Sequence, residues 1–142
     1  MTETPRRVYT VEVPLPPRAC SPNTYRHWRT VSKAKKEYRL DCYVAFKAAA
    51  IPTMGRIRVS LDFYNGRIPG CDRYRPWDVG NAISSCKGLL DSLVDAGVVA
   101  DDSRRYMELG PVRIFGTKKE HRGRSCVDVT ITEDGIATRG SC

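Results

Sequence analysis

Three aspartates and one lysine near the middle of the chain have the types and spacing needed for chemistry. Asp78 lies in a loop just before a predicted helix, Asp101-Asp102 lies in the loop just after it, and Lys87 lies within it. Ionised carboxylates repel one another, so a group of them is stabilised when a positive charge lies among them. Such a group therefore predicts a bound divalent cation.

The chain as a whole is basic, which indicates the kind of substrate. It carries 24 Lys and Arg against 16 Asp and Glu, a formal net charge of +8. Residues 1–50 alone carry ten Lys and Arg against four Asp and Glu. An excess of positive charge attracts a polyanion. Together with the aspartates, it predicts metal-dependent chemistry on nucleic acid.

The segment from Arg18 to Arg39 holds seven basic residues and a single acid, Glu37, with Tyr25, Trp28 and Tyr38 interleaved. Basic side chains neutralise phosphates, and aromatic rings stack on exposed bases. The alternative is a solvated helix face whose aromatic residues pack in the core; we favour nucleic-acid contact. The predicted DNA-binding residues lie in this segment and in two further basic loops, 65–77 and 116–124: Arg26, Arg29, Lys33, Lys35, Lys36, Arg73, Arg75, Lys118 and Lys119.

Length and cysteine spacing limit the class of protein. At 142 residues we expect a single domain, with its core in 8–132 and a flexible polar tail over 133–142. The six cysteines show no Cys-x-x-Cys pairing, and neither a secretion signal nor an apolar run of about 20 residues is found. These features predict reduced thiols rather than a zinc site, no membrane partner, and a cytoplasmic location.

Hydrophobic periodicity predicts four strands and two main helices. Strands are predicted where apolar and polar residues alternate, over 8–15, 56–64, 112–115 and 126–132. One helix is predicted over 32–50, with Ser32 as its N-cap. The other is predicted over 81–96 and ends before Gly97. This order predicts an α+β fold with a small mixed sheet of about four strands.

The predicted second helix separates the aspartates that would have to share a cation. A helix of 16 residues is about 24 Å long, so the loops at its two ends do not meet through closeness in sequence. Either one loop folds back along the helix, or the carboxylates meet across a subunit interface. The residues alone leave both arrangements open.

Three short motifs follow one another through the middle of the chain. They are Asp78-Val79-Gly80-Asn81, Lys87-Gly88-Leu89-Leu90-Asp91-Ser92-Leu93 and Ala96-Gly97-Val98-Val99-Ala100-Asp101-Asp102. Together with Pro16-Pro17 and Ser21-Pro22-Asn23, this ordered set resembles the signature of the RusA family of Holliday junction resolvases, small endonucleases common in bacteria and their phages. The resemblance covers residues 8–132 and implies a RusA-like, dimeric fold.

The resemblance implies a homodimer that binds four-way DNA junctions and resolves them by paired nicks, in DNA recombination and repair. It implies Mg²⁺ held by aspartates, with Mn²⁺ as a substitute. Asp78 matches the first metal-binding aspartate, and Asp102 matches the essential aspartate of the closing pair, beside Asp101. Lys87 matches a lysine that stabilises phosphate charge, so Asp78, Asp102 and Lys87 are the predicted catalytic residues. The implied setting is the cytoplasm of a bacterium or of a phage-infected host.

The chain departs from the family pattern at Gly80, where a second aspartate is usual, and by three extra residues between Asn81 and Lys87. The first departure removes a metal ligand, although water, Asn81 or Asp91 could replace it. The alternative function is therefore a branched-DNA-binding protein with weak or no catalysis. Lys87 and Asp91 also have the spacing of an ordinary helix ion pair, and Asp101-Asp102 is typical of a turn. An RNA-binding protein would fit the charge but leaves the aspartates unexplained.

Overall fold

The structure is a computed structural model, and it describes residues 7–17, 20, 27–64, 79–101, 103–115 and 126–133. In chain order its elements are β1 (Val8–Val13), α1 (Trp28–Ala48), β2 (Ile57–Tyr64), α2 (Val79–Ser85), α3 (Lys87–Asp95), β3 (Met107–Phe115) and β4 (Cys126–Glu133). The predicted α+β fold with one mixed sheet of four strands is confirmed. Within the described ranges, no helix is long and apolar enough to cross a membrane.

The four strands lie in the order β1-β4-β2-β3. Strand β4 runs antiparallel to both β1 and β2, whereas β2 and β3 are parallel. Parallel neighbours need a crossover connection, and α2 and α3 lie in this one. The crossover therefore leaves from the C-terminal end of β2 and returns to the other end of the same strands, where β3 begins beside the start of β2.

One face of the sheet is apolar and packs against the helices, while the other face is polar. Successive side chains of a strand point to opposite faces, so every second residue is buried. The core includes Val11, Val13, Ile57, Val59, Leu61, Phe63, Val127, Val129 and Ile131 from the sheet, with Tyr38, Cys42, Phe46, Leu89 and Leu93 from the helices. We call the other side the polar face; its side chains include Thr10, Glu12, Arg58, Ser60, Asp62, Arg113, Asp128 and Thr130.

Helix α1 begins four residues earlier than periodicity predicts. It starts at Trp28, and the His27 ring caps it because its Nδ1 accepts a hydrogen bond from the Arg29 amide at 3.1 Å. Ser32, the predicted N-cap, lies inside the helix. That prediction was wrong because residues 28–31 include no helix breaker, so the helix extends back to Trp28.

The predicted helix over 81–96 is two shorter helices. Cys86 separates α2 from α3 with φ −94° and ψ 11°, and its side chain is fully buried. Hydrophobic periodicity continues through this residue, because both helices present their apolar side chains to the same core. Periodicity therefore reports the buried side correctly and does not reveal the break.

Strand β3 begins at Met107, five residues before the predicted range 112–115. Gly110-Pro111 is typical of a turn, yet it lies inside the strand, opposite an irregularity in the register with β2. Proline is tolerated there because β3 is an edge strand. The presence of glycine at position 110 has a steric reason, since a Cβ at this position would lie 2.8 Å from Ser60 Oγ.

Tyr38 is buried where α1 meets the end of β1. Its hydroxyl donates a hydrogen bond to the Pro14 carbonyl at 2.8 Å, and the thiols of Cys42 and Cys86 lie beside it. Burial raises the pKa of Cys42 to about 12 and also raises the pKa of Cys86. The thiolate is the reactive form of cysteine, so these two residues behave as core thiols. Tyr38 is a core residue too, which removes it from the aromatic rings that could stack on a base.

A charged clamp joins α1 to α3. The Arg39 guanidinium donates to both carboxylate oxygens of Asp95, at 2.5 and 2.7 Å, and its Nη1 lies 3.7 Å from Asp91 Oδ2. Bidentate pairs of this kind fix orientation as well as distance. The hydrogen bonds from Arg39 hold the pKa of Asp95 below its ordinary value. The sequence did not predict this contact, because the partners are 56 residues apart.

The clamp can be tested by Asp95→Asn, which removes the charge and keeps the side-chain shape. We expect the free energy of unfolding at pH 7 to fall by about 0.2–1 kcal/mol, the range for exposed ion pairs. A lowered folded pKa contributes stability above the unfolded pKa, and that stability is lost as pH falls through the folded pKa. Urea unfolding should therefore show the difference between wild type and variant shrinking below about pH 4.

Asp41→Asn is the matched control, because Asp41 is an exposed carboxylate of α1 outside the clamp. We expect it to leave the unfolding free energy nearly unchanged across the same pH range. Equal losses in the two variants would show that the Arg39 contact adds nothing specific.

Candidate nucleic-acid interface

Of the predicted catalytic and metal-binding residues, the structure describes Lys87 and Asp101. Lys87 is the first residue of α3, and its side chain is 79% exposed. Asp101 is exposed in the loop that follows α3. Asp78 and Asp102 lie outside the described residues, so their convergence on one cation stays a prediction.

Asp101 and Lys87 lie at opposite ends of α3. The helix rises about 12 Å between Lys87 and Asp95, and the chain then enters the loop that carries Asp101. The Met54 amide, just before β2, donates to the Val98 carbonyl at 2.7 Å and anchors this loop beside the start of β2. Within one protomer, the described residues therefore hold Asp101 away from Lys87.

Lys87 makes the helix ion pair that its spacing allows. Its Nζ lies 3.8 Å from Asp91 Oδ1, and Asp91 is shared with Arg39 at 3.7 Å. A long pair with a mostly exposed ammonium group contributes little to stability. The lysine is consequently available to a phosphate, and its position in the first turn of α3 places it near the contact between α1 and α3.

Exposed cations cover the first turns of α1 and the start of α3. We call this set the basic surface, and its members are Arg29, Lys33, Lys35, Lys36 and Lys87. All four α1 members are residues that the sequence predicts to bind DNA, and the structure places two of them, Lys35 and Lys36, in one cavity with Lys87. The other predicted DNA-binding residues lie outside the described part of the chain: Arg26, Arg73, Arg75, Lys118 and Lys119.

A cavity of about 240 Å³ lies within the basic surface, between α1 and the α2–α3 pair. The charged and hydroxyl side chains lining it include Lys35, Lys36, Arg39, Ser84, Lys87 and Asp91. Four cations and one carboxylate give these side chains a net charge of +3. A concave site with this charge concentrates anions, and its cations and hydroxyl group match the oxygens of a phosphate. Sequence reasoning missed the cavity, because no local pattern shows that α1 and α3 lie side by side.

The polar face of the sheet carries the opposite charge. Register aligns Glu12 with Asp128, Asp128 with Asp62, and Asp62 with Arg113, so one row crosses all four strands. Arg113 pairs with Asp62 through contacts of 2.9 and 3.1 Å. With Arg58, the polar-face side chains named above include three carboxylates and two guanidinium groups, so this face attracts a polyanion less than the basic surface does. Nucleic acid is therefore expected on the helix side of the protein.

Glu12, Asp128 and Cys126 also form a group whose ligand atoms all lie within 4.8 Å of one another. Magnesium takes oxygen ligands, whereas a thiolate suits softer metals, so this group does not have the donor set of the predicted magnesium site. It lies on the polar face, away from the basic surface. Alternating polar residues signalled this face in the sequence, but only strand register brings the three side chains together.

Comparison of the sequence with known proteins identified no relative. Neither the protein-family models nor the curated proteins include a match to the chain. The resemblance to the RusA family accordingly stays a prediction that rests on the ordered motifs.

The basic surface predicts a specific salt dependence. We expect Lys36→Gln to weaken binding to a labelled four-way DNA junction. Each phosphate contact contributes about 0.9 to the slope of log binding constant against log salt concentration, so losing one contact should reduce that slope by about this amount. Fluorescence anisotropy across a salt series measures both quantities.

Lys47→Gln provides the control for this experiment, because Lys47 is an exposed lysine in the last turn of the same helix. It should leave the slope unchanged. If both variants lower the slope equally, or neither does, the first turns of α1 are not the surface that meets phosphates.

Proposed function

We propose that this protein is a Mg²⁺-dependent, structure-specific endonuclease of the RusA type that resolves four-way DNA junctions by paired phosphodiester hydrolysis. The observation that carries the proposal is the position of Lys87. It lies in the ordered Asp, Lys, Asp motif set and lines a cavity of about 240 Å³ whose charged side chains have a net charge of +3. A nuclease needs positive charge beside its cation site, because phosphate oxygens become more negative during hydrolysis.

The proposed metal ligands are Asp78, Asp102 and Asp101. Carboxylate oxygens are the protein ligands that Mg²⁺ prefers, and Mg²⁺ keeps several waters in place of further ligands. Asp101 is exposed, so water can complete the coordination of an ion that it holds. Bound Mg²⁺ would supply Lewis acidity for phosphodiester hydrolysis, and Mn²⁺ would substitute for it. Lys87 would balance negative charge on the phosphate.

The proposed active unit is a homodimer. Asp101 and Lys87 lie at opposite ends of α3, and the loop carrying Asp101 is anchored beside β2. A site that uses both residues is thus more readily built from two protomers, with the loop of one facing Lys87 of the other. Two-fold symmetry also suits a substrate that needs two cuts.

A second candidate is a branched-DNA-binding protein with little or no catalysis. Gly80 is the observation that favours it, because it lies in the first turn of α2 and brings no carboxylate where the family pattern has an aspartate. The basic surface would serve this function equally well. Incubating the protein with a labelled junction and Mg²⁺ separates the two candidates, since binding without a Mg²⁺-dependent product would favour the second.

Substitution of the aspartates tests the endonuclease directly. We expect Asp78→Asn and Asp102→Asn each to slow junction nicking by at least about 100-fold, a loss typical of removing a group that stabilises the transition state. Junction binding should be retained, because neither residue belongs to the basic surface. Asp41→Asn should nick like wild type, and EDTA should stop wild-type nicking. Equal nicking by wild type and Asp78→Asn would exclude the proposed site.

Assembly can be measured separately from activity. Sedimentation velocity at micromolar concentration should show a dimer, and addition of a junction should give a complex of one dimer per junction. A protein that sediments only as a monomer, alone and on the junction, would contradict the symmetric arrangement while leaving single nicks unaffected.

A further inference from the structure

Trp28 is unusually exposed for its residue type. It is the first residue of α1, and 68% of its surface is open to solvent. Large aromatic residues usually bury most of their area, because an indole in water forgoes the free energy of burial. The Arg29 guanidinium lies 5.3 Å from the centre of the indole, and the His27 ring lies 5.6 Å from it. Most of the Trp28 surface is open despite these two neighbours.

A groove of about 300 Å³ runs from Trp28 along α1, lined by Trp28, Arg29, Ser32, Lys33, Lys36 and Glu37. Three cations and one carboxylate line it, and the Glu37 carboxylate lies 3.9 Å from Lys33 Nζ. The groove thus offers an aromatic ring at one end and positive charge along its length.

The groove and the cavity lie next to each other on α1, and we call the two together the path. Lys36 lines both of them, so the path runs from Trp28 past Lys36 to Lys35 and Lys87. Trp28 and Lys36 are separated by about 12 Å along the helix axis. An exposed aromatic ring followed by cations over such a distance is a combination with which proteins bind a single strand.

We propose that this path binds single-stranded nucleic acid, with one base stacked on Trp28 and phosphates at Lys36 and in the cavity beside Lys87. The proposal deepens the proposed function, on which it rests for the choice of DNA. It identifies the bound segment as unpaired nucleotides at the branch point. Bases within a duplex are stacked on their neighbours, so only an unpaired base presents its face to an indole.

A single-tryptophan protein makes the contact measurable. The chain has two tryptophans, and Trp77→Phe leaves Trp28 as the only one. We expect an oligo(dT) of about ten nucleotides, within the site sizes of single-strand binders, to quench its fluorescence. A duplex of the same length should bind more weakly and quench less. Oligo(rU) in parallel shows whether the path selects DNA.

Variants of Trp28 in the otherwise native chain test the stacking. Trp28→Ala should weaken oligo(dT) binding by about 10-fold, within the range for one base stacked on an aromatic ring. Trp28→Phe should keep most of the affinity, because a phenyl ring also stacks. Leu40→Ala is the control, since Leu40 is an apolar residue of α1 that is 59% exposed and lies outside the groove.

The outcomes separate this inference from the proposed function. Equal affinity for duplex and oligo(dT), with no loss in Trp28→Ala, would overturn the single-strand path and leave junction cleavage untouched. Quenching by polyglutamate as strong as by oligo(dT) would overturn it in favour of an acidic protein partner. Strong quenching by oligo(dT) without Mg²⁺-dependent junction cleavage would support the path and remove the endonuclease.

Discussion

The packing of α1 on α3 is the contact on which the candidate site depends. Tyr38 and Cys42 of α1 share a core with Leu89 and Leu93 of α3, and Arg39 clamps the two helices from outside the core. This packing sets the spacing between the lysines of α1 and the start of α3. Without it the chain would still be basic, but its cations would not line a cavity. Hydrophobic burial therefore positions the charges, and Arg39 offsets part of the negative charge of Asp91 and Asp95.

Among the described residues, charge is divided between the two sides of the protein. Cations lie on the helix side, while the row from Glu12 to Arg113 places three carboxylates on the polar face of the sheet. A net charge of +8 distributed evenly would attract a polyanion to any side. The separation among the described residues would instead orient the protein on the proposed DNA substrate, because the field favours an approach to the helix side.

Trp28 and Tyr38 show how far a sequence pattern can be trusted. Both lie in the same basic segment, and both were candidates for stacking on bases. Tyr38 is buried and donates its hydroxyl hydrogen to Pro14, whereas Trp28 is mostly exposed. Helical spacing places Tyr38 in an apolar stripe with Cys42, but Trp28 lies outside the predicted helix, so only packing shows that its ring faces water. Lys87 is a further example, because its position four residues before Asp91 is compatible both with a phosphate contact and with the ion pair that the structure shows.

The amino-acid sequence by itself determined the strands, the two helical regions, the α+β class and the excess of positive charge. Alternation and helical periodicity report which side of each element is apolar, and these patterns are local. Tertiary structure alone decided the strand order, the parallel pairing of β2 with β3, the cavity beside Lys87 and the pairing of Arg39 with Asp95. Each of these joins residues far apart in the chain, and burial preferences along one segment carry no information about which distant segment will cover it.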